Sequence, residues 1–501
     1  MDFLTTSLLF LLLTLFLFRA FISFRNGCKS SESKLPPGPR RLPILGNLLD
    51  LGDKPHRSLA KLARVHGPVT SLQLGSLFTV VVSSETTAKE VLQKQDLVFC
   101  NRTVVDAVRA CQFSEFGLSF IPVSPLWRTL RKVCVIYLFS TQKLDANQYL
   151  RREKIHELIG NVPKSSLEGE AIDVGQAAFD ATINLLSNTI FSTDLVDPNS
   201  AHAQEFRTTV WFITHDAGIP NMADYFPLLR KFDPQGIRRR MTLHFEKLLT
   251  LFGDMFDERS ESRKFKNSTA SNDVLDTLID IIENGIEELN RTQVIYLLMV
   301  LFVAGTDTTS NTIEWAMAEL LRNPRVLLKA KNEIEEAIGK GNPIEEIDIN
   351  RLPYLQAIIK ETFRMHPTVP LLIPRRAGSD ADLCGFRVPE GSQVLVNVWA
   401  IGRDPSIWEN PDVFMPDRFL GSQIDVKGTD FGLIPFGAGR RICPGLSLGN
   451  RMLHLILGSL INCFDWKLED GMLPNEIDMD ENCGVTVKKA IPLRAIPIAA
   501  V

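Results

Sequence analysis

Residues Phe3 to Phe24 are almost all Leu, Phe, Ile and Thr, interrupted by Arg19. At about 1.5 Å rise per residue, a helix of that length spans a bilayer core of about 30 Å. A second long apolar run, Arg291–Arg322, differs in being polar at its centre, Ala304-Gly-Thr-Asp-Thr-Thr309. Helical periodicity predicts further helices at about Ser58–His66, Ala88–Gln95, Leu126–Val135, Asp145–Gly160, Val174–Phe191, Met241–Lys264, Asn272–Asn284, Pro324–Gly339 and Tyr354–His366. The β-branched run Val80-Val81-Val82 places one strand within Leu72–Ser83, and a second falls within Val388–Val398 with Glu390-Gly391 as a turn. These elements predict a mainly α fold with a small β subdomain.

Arg19 sits at one end of the first span, and Arg25, Lys29, Lys34, Arg40 and Arg41 follow it. The positive-inside rule then places everything after the span in the cytosol, so the sequons at Asn101, Asn267 and Asn290 stay unglycosylated. A cleaved signal peptide is the alternative. Its apolar stretch would be shorter, follow a basic start and end at small residues. Leu35-Pro-Pro-Gly-Pro39 is stiff and extended. The organisation expected is an anchor at 1–24, a basic, proline-rich hinge at 25–45 and one catalytic body at 46–501, with a mobile loop at Asn267–Ser271.

The chain has 501 residues, 45% hydrophobic, which is ample for a large core, and its net charge of −4 gives no sign of a nucleic-acid partner. The eight cysteines are scattered with no Cys-x-x-Cys pair, which argues against zinc, a disulfide scaffold and an oxidising compartment.

One cysteine stands apart. Phe436-Gly-Ala-Gly-Arg-Arg-Ile-Cys443-Pro-Gly445 sets Cys443 in a glycine-rich turn. The commonest fate of a lone cysteine is a buried, inert thiol. Here Gly437 and Gly439 permit the backbone to approach something large and flat, amides after Pro444 can face the sulfur, and Arg441 can pair with a carboxylate. A thiolate so flanked suits a haem iron. Phe436, Gly439, Arg441, Cys443 and Gly445 are the five positions of the Phe-x-x-Gly-x-Arg-x-Cys-x-Gly signature, and the chain resembles the cytochrome P-450 haem-thiolate monooxygenases from Pro36 to Pro497.

The resemblance assigns further roles. Asp307 and Thr308 would serve oxygen activation, the acid relaying protons to the hydroxyl; a Thr back-bonded to its own helix is the bland alternative. Ala304 and Gly305 are small enough to let a flat cofactor and dioxygen lie against the helix. Trp127, Arg131, Arg375 and Arg441 would meet the haem propionates. Glu361, Arg364 and Arg418 would form a buried structural triad, with Asp417 standing where the family more often has Glu. The cofactor implied is haem b on the Cys443 thiolate, with dioxygen as co-substrate and electrons from NADPH through a flavoprotein reductase. The body would be tethered in lipid at the endoplasmic reticulum, in a single pass.

The pocket segments expected are Val104–Phe113, Trp211–Ile219, the long-helix face before Thr308, Val369–Ile373 and Gly484–Val487, with Val108, Phe113, Leu301, Ala304, Val369, Leu372 and Val485 as candidate lining. They are mostly apolar, which suggests a small lipophilic substrate. The stretches Val91–Asp96, Leu144–Asn147, Phe232–Gly236, Asn397–Asp404 and Phe464–Glu469 look like the plant geraniol 8-hydroxylase subgroup, which implies a monoterpenol, or alternatively an abietane-type diterpenoid. Val300 and Thr368 depart from its usual Asp and Pro. A reductase-independent haem-thiolate isomerase or dehydratase, and a non-enzymatic haem sensor, are the other classes; an intact Asp307-Thr308 pair speaks against both.

Overall fold

The computed structural model describes residues 34–168, 170–195, 201–264, 273–339 and 342–499, with single positions 11, 14 and 16 before them. Apart from those three positions, the Phe3–Phe24 span lies outside the described residues, as does the Asn267–Ser271 loop with its sequon.

The centre of the molecule is the Arg291–Arg322 helix. It starts at a capping box: the Asn290 side chain accepts from the Gln293 amide, and the Gln293 side chain accepts from the Asn290 amide. It stops at Asn323, where Pro324 begins the next helix, Pro324–Ile338. By length and composition it could cross a membrane, yet most of it is buried in protein. Helices Val174–Phe191, Ile237–Lys264, Pro353–Met365 and Leu446–Cys463 pack around it. Phe302 stacks on Phe191 at 5.4 Å and leans on Phe252 at 4.9 Å. Such pairs add about 0.5–1.5 kcal/mol each beyond their burial.

A five-stranded sheet flanks this body, in the order Val69–Leu74, Leu77–Val82, Gln393–Val396, Arg375–Arg376, Asn101–Arg102. Val80, Val82, Val394 and Val396 are almost fully buried, which is why β-branched runs settle there. The second and third strands run parallel and the other pairs antiparallel. In the last pair Arg102 and Arg375 are register partners, so the sheet edge delivers two guanidiniums to one place.

The predicted bounds hold for Val174–Phe191 and Arg291–Arg322. Elsewhere the structure departs from the sequence reading. The strand expected in Leu72–Ser83 is a hairpin of two, turned at Gly75, whose φ is +56°. The Val388–Val398 segment divides between two sheets, Phe386–Val388 in one and Gln393–Val396 in another. The helices expected at Ala88–Gln95 and Leu126–Val135 end in wider π turns, Glu90–Lys94 and Val133–Leu138. Among the longer helices, Ala201–Asp216 and Leu446–Cys463 were not expected. The second is apolar almost all round and carries Gly449 and Gly458, which hide helical periodicity. Gly458 is there for packing, since a Cβ would lie 2.9 Å from Ile344 and 3.1 Å from Leu355.

Candidate functional site

The cysteine loop is a folded unit. The Cys443 amide donates to the Phe436 carbonyl at 3.0 Å, and the Leu446–Cys463 helix begins three residues on. The amides of Gly445 and Leu446 point back at the sulfur. Burial pushes the Cys443 thiol up, while those two amides and the Arg131 guanidinium pull it down. The helix-start amides and Arg131 thus offset part of what burial costs a thiolate here. Phe436 packs edge-on against Phe363 at 5.3 Å. Gly439, with φ +68°, has a different use from the one expected: a Cβ would sit 1.9 Å from the Leu92 carbonyl oxygen. That glycine lets the loop approach another stretch of the protein.

Beside the loop lies a set of guanidiniums held by carbonyls. Arg441 donates to the carbonyls of Cys100 (2.9 Å), Leu118 and Ile121, with Trp127 beneath it. Arg131 donates to the Ile442 carbonyl, Arg375 to Phe99 at 3.2 Å, and Arg102 to Ser119 and to Ile373 at 2.7 Å. Among the described residues, none of the four has a carboxylate within ion-pair reach, and the buried Nε of Arg375 has no partner. The nearby Asp96 is taken by Arg440 at 3.0 Å. Burial pushes Arg375 and Arg441 down to about 10, and the neighbouring guanidiniums add to it. Arg102 is driven down as well, by burial and then by Arg375 and Arg441. So many cations in one interior region call for an anionic group. A cofactor with two carboxylates and a thiolate-binding metal fits this donor set. Arg102 was missed in the sequence; its signal is a charge two residues after the apolar run Val98-Phe99-Cys100.

A cavity of about 810 Å³ opens against the long helix's polar centre. Ala304 is exposed in the middle of this largely buried helix, and with Val300, Val303 and Thr308 it lines the cavity. Val108, Phe113, Val369, Leu372 and Val485 line it too. Leu301 does not. It lies only about 20° from Thr308 around the helix, yet it packs into the core. Gly305 also faces away: a Cβ there would meet Leu186 at 2.8 Å, so its small size serves helix packing. Further lining comes from segments the sequence did not single out, among them Asp224, Tyr225 and Phe245.

The acid and hydroxyl at the centre of the helix are adjacent in sequence but bonded elsewhere. Thr308 donates to the Ala304 carbonyl at 2.6 Å. Asp307 accepts from the Thr486 hydroxyl. Burial raises the Asp307 carboxyl above its usual range, opposed by Thr486, Lys488, Thr214 and Asn311.

Behind the cysteine loop, the buried Glu361 and Arg364 meet the half-buried Arg418. Arg364 reaches Glu361 by two bonds of 2.6 and 2.8 Å, and Arg418 Nε reaches it at 3.1 Å. The Met415 amide also donates to Glu361 at 2.8 Å, and Arg364 donates onward to the carbonyls of Gly402 and Pro411 at 2.6 Å. This network ties the Pro353–Met365 helix to the segment before the cysteine loop.

Comparison with known proteins agrees with this geometry. The family model for cytochrome P-450 matches residues 36–493. The chain is 54% identical to geraniol 8-hydroxylase of Catharanthus roseus over 497 residues, covering 99% of each chain. It is 54% identical to geraniol 8-hydroxylase of Swertia mussotii over 495 residues, again with 99% of each. It is 53% identical to drimenol monooxygenase of Persicaria hydropiper over 473 residues, 94% of each. The family implies haem on a thiolate and the use of dioxygen, chemistry that suits a half-buried cysteine between helix-start amides and four carbonyl-held arginines. The chain belongs to the cytochrome P-450 family and is a monooxygenase.

Proposed function

We propose that this monooxygenase hydroxylates a small lipophilic terpenoid, foremost a monoterpenol of the geraniol or nerol type at the allylic carbon 8. In this reading Cys443 is the axial ligand of haem b. Arg102, Arg131, Arg375 and Arg441 hold its carboxylates, with Trp127 and Phe436 packed beside them. Electrons come from NADPH through a flavoprotein reductase. The body rests on the cytosolic face of the endoplasmic reticulum, tethered by residues 1–24, with 25–45 as hinge and 46–501 as the catalytic part.

The observation that carries this reading is the pairing of two environments. One is a cysteine whose sulfur faces two helix-start amides beside four guanidiniums lacking carboxylates. The other is an apolar cavity walled by Ala304 and Thr308. When bound, haem supplies dioxygen activation and the transfer of one oxygen atom into a C–H bond. The second oxygen leaves as water, with two electrons from NADPH and two protons. The chain supplies the rest. Apolar walls from Val108, Phe113, Val300, Val369 and Leu372 orient the substrate and exclude water. Thr308 offers a hydroxyl at the cavity wall, and Asp307 is the buried acid that resupplies its proton. Glu361, Arg364 and Arg418 fix the framework behind the cysteine.

The substrate follows from two supports, the identity to geraniol 8-hydroxylases and the apolar lining. With reductase and NADPH, geraniol is expected to shift the haem spin state and yield 8-hydroxygeraniol carrying one atom from labelled dioxygen. A second reading, the diterpenoid one, is favoured by Val300, an apolar residue on the cavity wall where the subgroup usually has Asp. If geraniol gives neither spin shift nor product while an abietane diterpene gives both, the diterpenoid reading replaces the first.

A further inference from the structure

The partner of Asp307 comes from the far end of the chain. Strands Glu481–Cys483 and Val487–Lys489 pair antiparallel, and their turn carries Gly484, Val485 and Thr486. The turn is clamped. Val485 donates its amide to the Thr214 carbonyl at 2.9 Å, and Val487 donates to the Thr368 carbonyl at 2.8 Å. Gly218 leaves no room for a side chain, since a Cβ would sit 1.9 Å from the Val485 nitrogen. The Thr486 hydroxyl is thus delivered to Asp307 by a fixed piece of backbone.

Thr486 lines the cavity; Asp307 does not. One side chain therefore touches both the space for substrate and the buried acid. Thr308, the hydroxyl that Asp307 would resupply, is turned to Ala304 and shares no hydrogen bond with Asp307. The other groups facing the acid are Lys488 on the same hairpin, Thr214 on the Ala201–Asp216 helix and Asn311 one turn further along its own helix. Lys488 in turn faces Glu314 and Asp173 and lies 4.5 Å above the Trp211 ring.

We propose that Thr486 is a positioning residue: it parks the Asp307 carboxylate away from Thr308, and substrate pressing on the cavity wall loosens that bond, so that proton delivery waits for a filled cavity. This rests on the monooxygenase reading. The bond also favours the charged, non-donating form of an acid that burial otherwise pushes toward protonation.

The test uses haem-loaded full-length enzyme with reductase, comparing wild type, Thr486→Val and Thr486→Ser. Thr486→Val is expected to keep its haem and its geraniol spin shift. Without substrate, it should oxidise NADPH severalfold faster than wild type, passing two electrons and two protons to dioxygen as hydrogen peroxide. Losing the hydroxyl donor raises the Asp307 carboxyl further. The alkaline limb of that oxidation should move up by roughly one to two pH units, the size of one hydrogen bond to a charged group. The infrared band of the protonated carboxyl, identified by its absence in Asp307→Asn, should titrate at correspondingly higher pH. Thr486→Ser should behave as wild type. Substrate-free oxidation, pH limb and carboxyl band all unchanged in Thr486→Val overturn the proposal, as does a lost spin shift with an unchanged pH limb. If Thr486→Val does not load haem, Thr486→Ala is read by the same criteria. Geraniol giving no spin shift in wild type sinks the monoterpenol reading alone, since the substrate-free comparison does not depend on it.

Discussion

The guanidinium carbon of Arg441 lies 4.8 Å from the centre of the Trp127 ring. That contact joins the cysteine loop to the Pro125–Lys132 helix, and the fork of the same arginine collects three carbonyls from 100, 118 and 121. A planar cation between an indole face and a fan of carbonyls is held in one orientation, and a lysine cannot copy it. The stacking contributes about 0.5–2 kcal/mol in a desolvated setting.

Arg441→Lys is therefore expected to lower the ratio of haem to protein on purification, and Arg441→Ala to lower it further. Absorbance of the haem against total protein measures this. A haem-replete Arg441→Ala enzyme would remove Arg441 from the set that holds the cofactor's carboxylates.

Cys443 sits where two amides and a helix start converge on its sulfur. Cys443→His and Cys443→Ala should both lose the red-shifted Soret band of the reduced carbon-monoxide complex. Retention of that thiolate spectrum in either variant would mean that another cysteine binds the iron.

The fold was legible where local pattern and final burial coincide. The Arg291–Arg322 helix combines an Asn290 cap, an unbroken apolar run and a Pro324 stop, and its ends could be read directly. The Leu446–Cys463 helix was illegible because it is buried on nearly every side, so no polar face marks its period. At the site, fixed spacing singles out Cys443, Arg441 and the Asp307-Thr308 pair. It does not single out Arg102, whose place beside Arg375 is set by a cross-strand register between distant segments. Leu301 was misplaced by a fraction of a helical turn, which periodicity alone does not resolve. Gly305 and Gly439 were read as yielding space to a cofactor, yet Leu186 and the Leu92 carbonyl claim that space.

Glu361 is fully buried between Arg364 and Arg418. Removing it leaves two guanidiniums facing each other with no anion, which costs about 3–5 kcal/mol. Glu361→Ala should give mostly haem-free, unstable protein. Glu361→Gln, which keeps the shape without the charge, should fall between the two. A stable, haem-replete Glu361→Ala enzyme with altered kinetics alone would show that the network does not carry the framework.

Glu314, seven residues along the helix from Asp307, is buried, and its carboxyl is pushed up from 4.5 to about 7, chiefly by that burial. Its oxygen accepts from the Leu493 amide at 2.9 Å, and Asp173, Lys488 and Lys489 face it. The sign follows from the two states. The folded protein holds this proton more tightly than the unfolded chain, so the associated stability is fully present below about 4.5. It declines as pH rises and is gone above about 7, where the carboxylate is charged in both states. The whole span is worth at most ~3 kcal/mol. Glu314→Gln keeps an acceptor for Leu493 and removes the titration. The variant should match wild type in melting temperature near pH 4.5 and exceed it progressively up to pH 7, because every other carboxylate titrates alike in both proteins. A difference in melting temperature that stays constant across that interval would show that Glu314 does not change its protonation on folding.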